Sequence, residues 1–189
     1  MQGGKGVLTG TSKQVAAILE TACSLRSLTD GELAKTVRHA AMQQAEWRKT
    51  DSKNTSRVET GAGVVVMDTL RRVTMAAVCE AARRVLGFTL HQNQVEASLI
   101  MTSRCVVEMP TGEGKTLSAV LTAVWLGLGG EGVHILTFND YLANRDFQWM
   151  GHICRLLGRT TGCVTGTCSK AERQKSLTKK TNEDTMNTT

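Results

Sequence analysis

The stretch "CVVEMPTGEGKTLSAV", residues 105–120, is the part of the sequence that says most about the fold. It begins with a short apolar run, passes through a turn containing Gly112 and Gly114, and continues after a lysine and a threonine into a second apolar run. A glycine-rich turn between a strand and a helix exposes consecutive backbone N–H groups at the helix N-terminus, where anions bind. The order of residues therefore predicts a strand, a phosphate-binding loop and a helix.

The residue types in this loop fit the parts of a magnesium–nucleotide complex. The two glycines permit backbone dihedrals and a close approach that a Cβ atom would block. Lys115 supplies a positive charge for the β- and γ-phosphates, and Thr116 supplies a hydroxyl for Mg²⁺. Glu113 is expected to be an exposed loop residue rather than a catalytic base. The predicted nucleotide-contacting residues of the loop are Thr111, Gly112, Glu113, Gly114, Lys115 and Thr116.

The loop departs at one position from the usual pattern GxxxxGK[ST]. Met109 stands where that pattern has its first glycine, and Pro110 follows it. Helicase-like motors tolerate such a replacement, so it narrows the class of motor. An isolated GKT would be weak evidence, but here the predicted strand, loop and helix follow one another in the required order.

The elements around the loop alternate in type. Apolar runs at 104–109, 132–138 and 162–166 predict short strands, and 114–130 and 139–158 predict helices. Strands that alternate with helices of this length indicate crossover connections and a parallel sheet with helices on both faces. The ligand site of such a sheet lies at the carboxyl ends of its strands.

The N-terminal part of the sequence is helical in pattern. Residues 12–49 predict two helices, the second with a capping signal at Thr29 or Asp30. A polar stretch at 48–63 ends in glycines and predicts a linker, and residues 64–86 carry an apolar stripe at helical spacing.

Composition bounds the class of protein. The chain has 189 residues, 41% hydrophobic content and a net charge of +6, which suits a globular domain with a core of its own. Neither a secretory signal nor a membrane span is expected. The basic excess lies on the flanks and is interpreted as solvated surface, with anionic lipid or nucleic acid as the alternative. The six cysteines form no CxxC pair, so reduced thiols are expected and no metal site.

Two longer stretches resemble one family of motors. "EMPTGEGKTLSAVL" and "GVHILTFNDYLANRDFQWMG" are similar to SecA, the motor ATPase of bacterial preprotein translocation, and the TFNDYLANRD run is specific to it. Upstream, "AVCEAARRVLGFTLHQNQ" is similar to the helix and glutamine motif of that family. The resemblance implies that Gln94 reads adenine, since a planar amide can donate to and accept from the base. Asp140 and Asp146 fall in the motif after the loop, where they are expected to cap the helix or pair with arginine.

The resemblance also implies an architecture. The expected fold is α/β: a partial RecA-like P-loop lobe preceded by an α-helical arm. The arm and linker would span residues 1–63, the first nucleotide-binding lobe 64–166, and a polar, disordered tail 167–189.

The function that the resemblance implies is that of an ATP-dependent protein translocase. Its cofactors would be ATP and Mg²⁺, and its partners the SecYEG channel, unfolded preproteins and an anionic membrane surface, with nucleic acid not expected. It would work in the cytoplasm, peripherally at the inner face of the cell membrane. Because no Walker B carboxylate pair or second lobe is recognisable, the chain alone is expected to bind ATP without hydrolysing it. The alternatives are a DEAD-type nucleic-acid helicase fragment, favoured by Pro110, and a non-catalytic nucleotide-binding remnant.

Overall fold

The computed structural model describes residues 5–51, 61–130 and 132–177. Within these ranges the chain forms α-helices joined by turns and irregular segments, and short 3-10 turns follow two of the helices. The helices are α1 Lys5–Ser24, α2 Asp30–Asp51, α3 Gly61–Leu86, α4 Gln92–Thr102, α5 Lys115–Leu126, α6 Asp140–Leu156 and α7 Lys170–Leu177, and the 3-10 turns are Leu25–Ser27 and Gly127–Gly129.

Helix α3 forms the centre of the molecule. It contacts α1, α2, α5 and α6, while α4 packs against α5 and α1. Residues 75–82 of α3 are all buried, and four of these eight residues are alanines. Small side chains allow neighbouring helices to approach α3 from several sides. One apolar core therefore joins α1 and α2 to the helices on either side of the glycine-rich loop.

Two predicted helix starts are confirmed by their capping contacts. At α2 the backbone N–H of Thr29 donates to Glu32 Oε2 at 2.7 Å, and the Glu32 N–H donates to Thr29 Oγ1 at 3.3 Å. This reciprocal pair satisfies two amides that the first turn cannot pair within the helix. At α6 the Asn139 side chain accepts from the Leu142 N–H at 2.9 Å.

The predicted parallel sheet is wrong. Across the described ranges no β-strand is present, and the three expected strands, 104–109, 132–138 and 162–166, are irregular, bend or turn backbone. The expected RecA-like lobe, with helices on both faces of a sheet, is therefore not seen in the part of the chain that the structure describes.

The exposure of the apolar runs shows why the strand prediction fails. Val106 is fully exposed, and Leu136 and Phe138 are 92% and 95% exposed. A short apolar run does not by itself distinguish a strand from other structure, because a strand needs hydrogen-bonding partners distant in sequence. Here the helices bury their apolar faces against one another, and the apolar runs at 104–109 and 132–138 remain outside that core.

A buried ion network fastens α3 to the junction before α2. Glu80 is 2% exposed, and its carboxylate accepts hydrogen bonds from Arg83 at 2.8 Å and from Arg84 at 2.7 Å. Arg84 continues to Asp30 Oδ1 at 2.6 Å and to the Leu28 carbonyl at 2.7 Å. Both oxygens of the buried carboxylate thus accept from cationic donors, which compensates for its removal from water.

This network predicts a loss of stability in acid. The hydrogen bonds from Arg83 hold the pKa of Glu80 below its ordinary value of 4.5, and Arg84 acts in the same direction against the effect of burial. A lowered pKa in the folded state contributes stability above the unfolded pKa, and that contribution is lost as pH falls through the folded value. We expect the difference in unfolding free energy between the wild type and Glu80→Gln to shrink below about pH 4.5. Urea unfolding of both proteins at a series of pH values measures it; a constant difference would contradict the assignment.

Two expectations lie partly outside the described residues. Of the predicted linker and tail, residues 52–60 and 178–189 are not described, while α7 occupies Lys170–Leu177. The predicted domain boundary at residue 63 remains a prediction, although helices on both sides of it share one core. Where the structure describes the chain, none of its helices combines the length and apolar character needed to cross a membrane.

Candidate functional site

The loop before α5 has the backbone shape that its glycines predict. Gly112 has φ +91° and Gly114 has φ +81°, both in the left-handed region that side-chain-bearing residues rarely adopt. Gly114 is the N-cap residue of α5, and no side chain caps this helix end. The first turn of α5 also contains no acidic residue. The helix N-terminus therefore presents backbone N–H groups and the positive end of its dipole, and no acidic side chain of the first turn neutralises them.

Lys115 spans the loop. Its Nζ donates to the Pro110 carbonyl at 2.8 Å, and the side chain is exposed. The ammonium therefore sits across the mouth of the turn, held by a single neutral acceptor. A phosphate oxygen, which carries charge, makes a stronger hydrogen bond to an ammonium than a carbonyl does.

Gln94 lies against the loop, from the first turn of α4. Its Nε2 donates to the Glu113 carbonyl at 3.0 Å, and its Oε1 accepts from the His91 N–H at 3.0 Å. A Cβ atom at Gly114 would overlap Gln94 Nε2, so a larger residue there would displace the Gln94 amide as well as strain the backbone. Next to it, Asn93 Nδ2 donates to the Glu113 carboxylate.

Helices α4 and α5 are joined below this contact by buried hydroxyl groups. Ser98 Oγ donates to the Ser118 carbonyl at 2.9 Å, and Thr122 Oγ1 lies 3.3 Å from the Ser98 carbonyl. All three residues are buried. Each hydroxyl also lies within hydrogen-bond distance of a carbonyl of its own helix, Ser98 of Gln94 at 2.8 Å and Thr122 of Ser118 at 3.1 Å, so its proton is shared between α4 and α5.

A cavity of about 180 Å³ opens beside the loop. Lys115 and Thr116 line it from α5, and Asp146 lines it from α6. Asp146 accepts two hydrogen bonds from its neighbour Arg145, at 2.9 and 2.7 Å, as the predicted pairing of these residues implied. The structure thus places Asp146, which is not among the predicted nucleotide-contacting residues, at the same cavity as Thr116.

Asp140, unlike Asp146, contacts the backbone of a later segment of the chain. Its Oδ2 accepts from the Gly166 N–H at 2.8 Å and so anchors the 162–168 segment to the start of α6. In that segment burial raises the pKa of the Cys163 thiol, and the nearby Cys168 and Asp140 add to the effect. A raised pKa keeps Cys163 protonated and unreactive at neutral pH.

The described contacts bring together all the predicted site residues. Gln94 from α4 touches the 111–114 loop, and the loop leads directly into Lys115 and Thr116. Sequence reasoning missed Asn93 and Asp146 as neighbours of the loop. The only signals were that Asn93 adjoins Gln94 and that Asp146 ends the TFNDYLANRD run.

The residues present fit a magnesium ion that is held mainly by nucleotide phosphates. Mg²⁺ prefers oxygen ligands and usually binds through one or two protein groups, phosphates and water. Thr116 and Asp146 supply a hydroxyl and a carboxylate to the cavity. Over the described residues no group of three or more histidine, cysteine or acidic side chains could hold a metal ion without such help.

A comparison with known protein families gives a match that includes the loop and its neighbours. The family described as the SecA DEAD-like domain matches residues 4–181. The chain belongs to this family. The resemblance drawn from the loop and the TFNDYLANRD run is therefore confirmed.

Individual SecA proteins give the same result. The protein translocase subunit SecA of Thiobacillus denitrificans is 39% identical over 162 residues, which are 86% of this chain and 16% of that protein. SecA of Desulforudis audaxviator is 40% identical over 163 residues, again 86% and 16%. SecA of Myxococcus xanthus is 45% identical over 108 residues, 57% of this chain and 12% of that protein. The chain thus spans less than a fifth of the length of these relatives.

Proposed function

We propose that this chain binds the phosphates of ATP at the 111–116 loop and is the ATP-binding part of a SecA-type protein translocase. The observation that carries the proposal is the uncapped N-terminus of α5, which two left-handed glycines precede and Lys115 and Thr116 begin. In a member of the SecA family, the ligand expected at such an anion-binding turn is a nucleotide.

The chemistry of binding follows from three groups. The backbone N–H groups of Gly112, Gly114 and Lys115 would donate to the β-phosphate, with the helix dipole in the favourable sense. The Lys115 ammonium would exchange the Pro110 carbonyl for a phosphate oxygen. Thr116 would hold Mg²⁺, which neutralises phosphate charge when bound.

Adenine recognition by Gln94 is part of this proposal. Its amide has one N–H and one acceptor lone pair beyond those used for Glu113 and His91. These could meet the edge of the base. The proposed biological role, coupling ATP hydrolysis to preprotein transport with the SecYEG channel at the cytoplasmic face of the membrane, rests on family membership.

The proposal is tested by titrating the purified chain with Mg-ATP, using isothermal calorimetry, and by repeating the titration with adenosine. Saturable one-to-one binding of ATP, with adenosine far weaker, is expected because phosphates supply most of the contacts. Equal binding of ATP and adenosine, or no binding of ATP, would reject the proposal.

We expect the chain to bind ATP without appreciable turnover. Phosphoryl transfer needs a carboxylate or amide that orients water, together with cationic charge on the γ-phosphate. Of the acidic residues described above, Asp146 lines the cavity beside Lys115 and Thr116, and it is paired with Arg145. Glu113 is bonded to Asn93, and Asp140 accepts from the Gly166 N–H. Phosphate release should therefore equal that of Lys115→Ala within error. Magnesium-dependent turnover that Lys115→Ala abolishes would show that one of these carboxylates is catalytic.

A further inference from the structure

A second cavity, of about 290 Å³, lies where α1 packs against α3 and α4. It shares no lining residue with the cavity beside the 111–116 loop. Its volume is close to the lower end of the range for small-molecule sites, about 300–1,000 Å³. The proposed nucleotide site makes no use of this cavity.

The buried part of its lining is apolar. Ile18 of α1 and Leu99 of α4 line the cavity, and they are only 1% and 5% exposed. Ala17 of α1 and Val65 of α3 add apolar surface, and Val65 is exposed. A hydrocarbon or aromatic group placed there would leave water for a surface to which three helices contribute.

The charged part of the lining is mostly cationic. Lys13, Arg71 and Arg72 line the cavity together with one carboxylate, that of Asp68. Asp68 is paired with Arg71, whose Nη1 also lies 3.4 Å from Thr102 Oγ1. In the part of the chain that the structure describes, the side chains of Lys13 and Arg72 have neither an ion pair nor a hydrogen bond. Two cationic groups at the cavity are therefore free to meet a ligand.

We propose that this cavity binds a small amphipathic anion, an apolar body that carries a single carboxylate or sulfonate group. The apolar body would contact Ile18, Val65 and Leu99, and the anionic group would meet Lys13 and Arg72. Arginine presents parallel N–H donors that match a carboxylate, and lysine adds a charge on a flexible stem. Both parts of the ligand are needed, because exposed ion pairs alone are weak.

Octanoate is a suitable probe, because it joins a short hydrocarbon chain to a carboxylate. Methyl resonances of protein labelled at isoleucine, leucine and valine would be followed as octanoate is added, with 1-octanol and acetate titrated in parallel. Octanoate should shift the methyl groups of Ile18, Val65 and Leu99 saturably and leave those of the exposed Val106 and Leu136 in place. Octanol should bind several-fold more weakly, and acetate should cause no saturable shift.

Substitutions in the lining test the two parts of the site. Lys13→Ala and Arg72→Ala should each raise the Kd for octanoate by about two- to fivefold, the factor for one solvent-exposed ion pair. Lys35→Ala and Arg38→Ala remove exposed cations of α2 and should leave this Kd unchanged. Ala17→Leu should fill part of the cavity and abolish binding, with circular dichroism as the check on folding. If Ala17→Leu does not fold, the methyl shifts of the wild type still locate the site.

Three results would overturn the proposal. Shifts at Val106 and Leu136 as large as those at Ile18 and Val65 would mean that octanoate adsorbs to any exposed apolar residue. Equal Kd values for octanoate and octanol would mean that the cations take no part. Binding of phosphatidylglycerol vesicles without binding of octanoate would mean that the cations meet a membrane surface instead. None of these results depends on ATP binding, so the inference stands or falls apart from the proposed function.

Discussion

Glu80→Ala should lower the free energy of unfolding by about 3–5 kcal/mol, the usual cost of removing one partner from a buried ion pair. The carboxylate is nearly inaccessible to solvent and accepts hydrogen bonds from both Arg83 and Arg84. Without it, the Arg84 side chain, only 16% exposed, keeps a partly desolvated charge with Asp30 as its remaining acidic partner. Urea unfolding followed by circular dichroism measures the loss.

A matched control lies on the same helix. Asp68 pairs with Arg71 at the same i, i+3 spacing as Glu80 and Arg83, but the Asp68 side chain is 44% exposed. Asp68→Ala should cost less than about 1 kcal/mol, because solvent screens an exposed pair. Similar losses for Glu80→Ala and Asp68→Ala would contradict the claim that burial of the network matters. The isosteric Glu80→Gln, which keeps the side-chain volume, separates loss of charge from loss of packing.

Lys115→Ala should weaken Mg-ATP binding by about 1.5–3 kcal/mol, roughly a 10- to 150-fold rise in Kd. The reason is that an ammonium–phosphate hydrogen bond joins two charged groups at a helix N-terminus where no other side chain competes. Because Lys115 is exposed and its one described contact is with the Pro110 carbonyl, its removal should leave thermal stability nearly unchanged.

The control for this variant is Lys35→Ala, which removes an exposed lysine from α2. It lowers the net charge of the protein by the same amount as Lys115→Ala. Calorimetric titration of both variants should therefore show a large change in Kd for Lys115→Ala alone. An equal loss of ATP affinity in both variants would mean that ATP is held by the overall charge of the protein and not by the loop.

Features set by local sequence could be predicted. Asn139 caps α6 and Thr29 caps α2, because a short polar side chain before an amphipathic run satisfies the first amides of a helix. The left-handed glycines of the loop were likewise expected from the GEGKT pattern. In each case the partners lie within a few residues of one another.

Features set by contacts between distant residues could not be predicted. The apolar runs at 104–109 and 132–138 predict strands, but a sheet exists only if such runs pair, and nothing local determines whether they do. The contact between Asn93 and Glu113 spans 20 residues and leaves no periodic trace. The Glu80 network is visible in the sequence, since a glutamate followed at i+3 and i+4 by arginines is a helical ion-pair pattern. Its burial, however, depends on how α2 packs against α3.

The most direct test of the central claim is to locate the bound phosphates by NMR. Amide resonances of isotopically labelled protein would be followed while Mg-ATP is added, with Mg-tripolyphosphate as a second ligand. The account predicts that both ligands shift the amides of Gly112, Gly114, Lys115 and Thr116 most strongly. It would be contradicted if both ligands left these four amides in place while shifting others, or if neither caused saturable shifts.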